Sequence, residues 1–305
     1  MSDFKKKLLI GFTAPTELPK NETEKKEWQK ANYSWWESHP MRYDWNEKIQ
    51  VQEFSKEFYK EIDSRFFSNS REYMSWQKTP FDKLIDFESL KNKDVLEIGV
   101  GNGSHAQLLA EHSKTFNGID ITDYAVKSAN KRFEVFGLSG EIRKMDAEQL
   151  DFPDNSFDFV WSWGVIHHSS NTAQILKEIH RVLRPNGVAI IMVYYRGWWN
   201  YYVSGLVRGL LTGNIFKTKS LHKIVQMYTD GAIARYYSFS DWHKLTYEFI
   251  SRKTSVMGPK SDLILLPGGQ IKSLAYKVLL NVFCKFLTSR LRMGSFLVSQ
   301  INKTG

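Results

Sequence analysis

The stretch WSWGVIHHSS, residues 161–170, sets two histidines, His167 and His168, side by side after an aromatic run. Histidine titrates near neutrality, so such a pair can move protons, hold a metal or fill a polar wall. Upstream, VLEIGVGNGS places Gly99, Gly101 and Gly103 after a short apolar run. Glycines there permit a sharp turn and let backbone amides approach a ligand oxygen. Glu97 stands two residues before the first glycine, Asp120 about 20 residues on, and Asp146 beyond it. A carboxylate in the Asp120 position can accept both hydroxyls of a ribose, and one in the Asp146 position an adenine amino group. Alone, Gly101-x-Gly103-x-x-Ala106 also suits a nicotinamide or flavin cofactor, or a purely structural turn. No metal is expected: there is no HExxH pattern, His180 belongs to a later helix, and Cys284 is the single cysteine.

These residues need elements to hold them. KDVLEIGV, TFNGIDI, GEIRKMDA, SFDFVWSW and GVAIIMVYY read as five strands. Between them lie helix-like stretches, the clearest being TAQILKEIHRVL, with Ile175, Leu176, Ile179, Val182 and Leu183 on one face. Alternating strands and helices predict a mostly parallel sheet covered on both faces. Its strands' carboxyl ends would carry all the candidate residues. SRKTSVMG and SFLVSQINK complete a predicted sheet of seven strands. SFSDWHKLTYEF reads as a helix capped by Ser240, and 273–293 as one long helix.

Taken together, VLEIGVGNG, GIDIT, MDAEQLDFPDNSFDFV, VIHH and EIHRVLRPNGVAII resemble the class I S-adenosylmethionine-dependent methyltransferases, most closely the group with the ubiquinone/menaquinone C-methyltransferases. The resemblance covers roughly 93–195. It implies an α/β Rossmann-like fold and S-adenosyl-L-methionine as cofactor. Glu97 and the Gly99–Gly103 backbone would hold the methionine part, Asp120 the ribose, and Ile121 would lie on the adenine. Asp146 and Ala147 would meet the adenine edge, and Trp163 and Gly164 would flank the methionine. His167 and His168 become candidate bases for an acceptor that must lose a proton.

The flanks are expected to shape the acceptor pocket. Residues 1–90 read as a helical extension or lid, and 91–305 as the catalytic domain, with 196–240 and 260–293 as substrate-side insertions. NYSWWESHPMRYDW supplies Trp35, Trp36, His39, Arg42 and Tyr43; YYRGWWNYY supplies Tyr194, Tyr195 and Trp198. Aromatic faces can pack an apolar acceptor or favour a sulfonium.

Charge is uneven. Residues 1–90 carry a net −1, 91–195 a net −2, and 196–305 a net +12, from 16 basic and 4 acidic groups. The basic 273–293 segment is read as a helix packed on the fold, a homodimer contact, or a peripheral membrane helix. Nucleic acid is not the expected partner, because the cations are scattered among apolar residues. MSDFKKKLLIGF is too short in its apolar run for a signal peptide, and no run of about 18 apolar residues exists, so a cytoplasmic enzyme acting on a small molecule is expected. The acceptor stays open among thiols, hydroxyls, amines, carbon acids and lipid or quinone head groups, and a non-catalytic cofactor-binding protein is the alternative.

Overall fold

A computed structural model describes residues 12–45, 47–265 and 270–305; most of the amino-terminal MSDFKKKLLIGF lies outside them. Three helices, α1 (Glu22–Ser38), α2 (Lys56–Ser70) and α3 (Phe87–Leu90), precede the sheet. The alternating core follows as β1 (Asp94–Ile98), α4 (Ser104–Ala110), β2 (Thr115–Asp120), α5 (Asp123–Phe136), β3 (Glu141–Lys144), β4 (Phe157–Trp163), α6 (Thr172–Val182) and β5 (Leu183–Tyr195). After it come α7 (Ser204–Leu211), α8 (Asn214–Thr218), α9 (Leu221–Met227), β6 (Tyr236–Tyr237), α10 (Phe239–Leu245), β7 (Phe249–Met257), α11 (Gln270–Val278), α12 (Asn281–Arg290) and β8 (Phe296–Lys303).

The main path of the sheet has the expected seven strands, in the order β3-β2-β1-β4-β5-β8-β7. β1 to β5 pair with one another in parallel, and β8 is antiparallel to both β5 and β7. The two-residue β6 adds an eighth strand beside the end of β5. Side chains alternate between two cores, as a pleated sheet buried on both faces requires. Leu96, Val160 and Ile191 pack on one face, with Ile175, Leu176 and Ile179 of α6. Val95, Trp161 and Ile190 pack on the other, with Ala106 of α4 and Ala129 and Phe133 of α5.

Local chemistry sets several boundaries. Thr122 and Asn171 cap α5 and α6 by accepting backbone N–H groups with their side chains. The cap of α10 is Ser238 rather than Ser240, because Ser238 and Asp241 bond each other's backbone N–H reciprocally in a capping box. The single helix expected over 273–293 is two helices, α11 and α12, separated at Leu279–Leu280. Nor is it buried: Val278, Leu280 and Val282 are exposed.

The amino-terminal extension is tied across the sheet's carboxyl edge. Gln29 of α1 donates to the Asp146 carboxylate (2.8 Å) and accepts the Ser170 backbone N–H (3.1 Å). Tyr33 donates to Asp123 (2.8 Å), and Glu37 accepts the Tyr124 backbone N–H (3.1 Å). Trp28, on the same helix, is buried against Phe12 and Ile233.

Candidate active site

The site is built on the turn that leaves β1. Gly99 has φ 84°, and a Cβ there would lie 2.3 Å from a Val165 methyl carbon. Only glycine combines that left-handed backbone with so close an approach. Gly101, at φ 53°, has nothing within 4 Å of its missing Cβ, so open space lies over the turn. Asp120, ending β2, accepts the Gly101 N–H (3.1 Å) and both the N–H (3.0 Å) and hydroxyl (2.8 Å) of Thr122. Burial nevertheless raises its pKa.

The turn opens onto a cavity of about 630 Å³, within the range of small-molecule sites. Gly99, Gly101, Asp120, Ile121, Asp146 and Ala147 line one part of it. Trp163, Gly164 and His168 line it beyond the end of β4. Trp36, Tyr43 and Tyr194 line it too, together with Tyr73, Asp230 and Tyr276. Among the described residues no lysine or arginine lines it.

Several residues singled out from the sequence lie off this wall. Gly103 instead starts α4, at φ 81°. Glu97 is buried behind the wall, its carboxylate 3.9 Å from Nδ1 of His105, which is on the wall. Burial and the nearby Asp120 push the Glu97 carboxyl well up, and burial pulls His105 down to about 3. Trp35 and His39 stack on each other (4.4 Å between centroids). Arg42 pairs with Asp44 and Glu53. Tyr195 packs on Phe239, and Trp198 is exposed.

The histidine pair divides the same way. Both belong to a 3₁₀ turn, Ile166–His168, between β4 and α6. His167 is wholly buried, its ring 4.0 Å from that of Tyr194, and neither ring nitrogen has a hydrogen-bond partner among the described residues. Burial first, then His168 and Arg235, hold its pKa well below the ordinary value, so the ring is neutral. His168 lines the cavity, edge-on to Trp36 (4.9 Å). Its Nδ1 lies 2.6 Å from the Ile233 carbonyl oxygen. A carbonyl only accepts, so Nδ1 carries a hydrogen and donates it there. Buried Arg235 holds this turn by donating to the carbonyls of Ser169 and Ser170.

Residues 96–191 match the family described as a methyltransferase domain. The match covers about a third of the chain, and the fold is the Rossmann-like fold of such domains. The cofactor of this domain is S-adenosyl-L-methionine. A phosphatidylethanolamine N-methyltransferase of Cereibacter sphaeroides is 29% identical over 138 residues, 41% of this chain and 68% of that protein. A sterol 24-C-methyltransferase of Neurospora crassa is 35% identical over 32% of this chain and 26% of its own length. A 27-O-demethylrifamycin SV methyltransferase of Amycolatopsis mediterranei is 34% identical over 35% of this chain and 40% of its own. The chain thus spans well under half of the last two relatives. Their acceptors differ widely, and the finer likeness to quinone C-methyltransferases rests on the sequence motifs alone. In fold, the chain is similar to the [4+2]-cyclase SpnF, with a TM-score of 0.50 and 13% identity over 95% of this chain and 99% of that one.

The chain's own residues fit the cofactor. The turn leaves room above Gly101, two carboxylates stand at successive strand ends, and Oε2 of Glu97 and Nε2 of His105 are buried polar atoms without a partner among the described residues. Gln29 and Asn32, which the sequence reading did not single out, join this wall from α1. With Trp36 they recur at spacings of three and four, a helical stripe that could have marked the inner face of α1.

Proposed function

We propose that the chain transfers a methyl group from S-adenosyl-L-methionine to a small-molecule or lipid-type acceptor, and that this acceptor meets the cavity with a neutral or cationic group. The observation that carries the reading is one cavity joining the Asp120–Asp146 end to an aromatic chamber with no lysine or arginine on its wall among the described residues. Bound S-adenosyl-L-methionine supplies a methyl already activated on a sulfonium. The protein's work is then alignment and exclusion of water. Asp120 and Asp146 orient the nucleoside by accepting its hydroxyl and amino hydrogens. Trp36, Tyr43 and Tyr194 enclose the acceptor and favour a positive centre over an anionic one. His168 is the candidate base. Its imidazole stands on the cavity wall, held there by the Nδ1 contact to the Ile233 carbonyl, where it can serve a hydroxyl, an ammonium or a carbon acid.

Transfer of labelled methyl to a panel of phenols, amines, thiols, carbon acids and lipids tests this, with cofactor binding measured by calorimetry. His168→Asn should lower turnover about 100-fold or more, with cofactor affinity changed less than threefold. Absence of cofactor binding would sink the methyltransferase reading. Full turnover in the variant would remove His168 from proton transfer.

A further inference from the structure

Two segments of the basic last third turn apolar side chains outward. On α7 and α8 these are Leu206, Leu210, Leu211 and Phe216; on α11, α12 and the break between them they are Leu274, Val278, Leu280, Val282, Phe283 and Phe286. α12 buries only Cys284 and Thr288, so much of its apolar surface faces away from the fold. A π-helical turn, Trp198–Val203, joins the two segments. Trp198 donates its indole N–H to the Leu291 carbonyl at the end of α12 (2.9 Å), and the same turn runs directly into α7. Trp198 and Tyr202 are exposed as well.

Soluble monomers seldom expose apolar surface on this scale without a partner for it. Charge decides which partner. Residues 202–229 and 263–305 contain ten lysines and arginines and no aspartate or glutamate. Lys217, Lys219, Lys277, Arg290 and Arg292 are exposed in or beside the same segments. A second copy of the same face would oppose like charges. A bilayer with anionic head groups satisfies both features at once, receiving apolar side chains below and cations at the phosphate level. The same region holds an apolar slot of about 390 Å³, lined by Leu263, Ile264, Leu265, Ala275, Val278 and Leu279. Tyr276, on the helix that walls this slot, also lines the main cavity.

We propose that α7–α8 and α11–α12, with Trp198 between them, form a docking face for an anionic lipid bilayer and bring the aromatic end of the cavity to the membrane surface. Docking is independent of the transfer reaction, because it can be read with neither cofactor nor acceptor present.

The test is flotation of the full chain with phosphatidylcholine vesicles, with and without phosphatidylglycerol, at low and high salt, beside sedimentation equilibrium without lipid. The chain should float with phosphatidylglycerol vesicles at low salt and partition at least tenfold less to phosphatidylcholine alone. The double variants Val282→Glu/Phe286→Glu and Lys217→Glu/Lys277→Glu should each reduce partitioning at least tenfold while calorimetric cofactor binding stays unchanged. If the first variant fails to fold, the second carries the test, since it leaves the apolar face intact. No flotation with phosphatidylglycerol vesicles at low salt, or flotation that the variants leave unchanged, would overturn the proposal. So would a dimer that Val282→Glu/Phe286→Glu dissociates, which would assign the face to a second copy of the chain.

Discussion

Replacing His167 by phenylalanine separates the two histidines. The ring is fully buried and its pKa lies well below the ordinary 6.5. In the folded state it therefore stays neutral as the medium is acidified, whereas in the unfolded chain it takes up a proton below about pH 6.5. The neutral ring's contribution is present above that pH and is lost as pH falls. One proton bound only by the unfolded state costs about 1.4 kcal/mol per pH unit once the unfolded group is fully titrating. Between pH 7 and pH 5 the integrated loss is about 2 kcal/mol. Phenylalanine cannot take that proton. The stability difference between wild type and His167→Phe, from urea unfolding at the two pH values, should therefore shift by about 2 kcal/mol in the variant's favour at pH 5. Turnover of the folded variant should stay within threefold of wild type, because His167 is off the cavity wall. A stability difference that is the same at both pH values would mean that His167 titrates normally in the native protein. That result would refute the burial argument, and a large loss of turnover would refute the assignment of proton transfer to His168.

Two further substitutions probe the cofactor end. Gly99→Ala combines a left-handed backbone, costing about 1–2 kcal/mol, with a 2.3 Å approach to Val165. It should lower stability by about 2–5 kcal/mol, and Val165→Gly in the same chain should recover the steric part but not the backbone part. Gln29→Ala removes two hydrogen bonds between α1 and the core; at about 0.5–1.5 kcal/mol each, it should loosen cofactor binding by about 5-fold or more, seen by calorimetry, while leaving the sheet intact by circular dichroism.

The parts of the site that could be read from the sequence are those held by local chain geometry. Strand ends and the turns after them carry Asp120, Asp146 and the glycines, so a few consecutive residues specify both the turn and the group it presents. The outer wall is different. Gln29 meets Asp146 across 117 positions, and Tyr276 reaches the cavity from a helix beyond β7, contacts that no local periodicity reports. Adjacent residues are a separate difficulty. Successive side chains on a helix point about 100° apart, and on a 3₁₀ turn about 120°. Hence Trp36 faces the cavity while Trp35 stacks on His39, and His168 lines the wall while His167 is buried behind it. Composition alone marks both members of each pair equally. The split of the 273–293 segment has a similar cause. Its apolar residues are spread around the helix rather than gathered on one stripe, so their pattern does not show which face meets the fold.

The placement of β8 has a consequence for biogenesis. Among the described strands β7 hydrogen-bonds to β8 alone, and β8 lies between β7 and β5. Phe296, the first residue of β8, also lines the cavity. As the chain leaves the ribosome, the residues before 296 can therefore assemble the parallel half of the sheet but lack one wall of the cavity. Until 296–303 emerge, the edge of β5 stays bare, a template for unwanted pairing that chaperones would have to shield. A nascent chain stalled just short of Phe296 should therefore crosslink to holdase chaperones far more than one in which β8 has emerged.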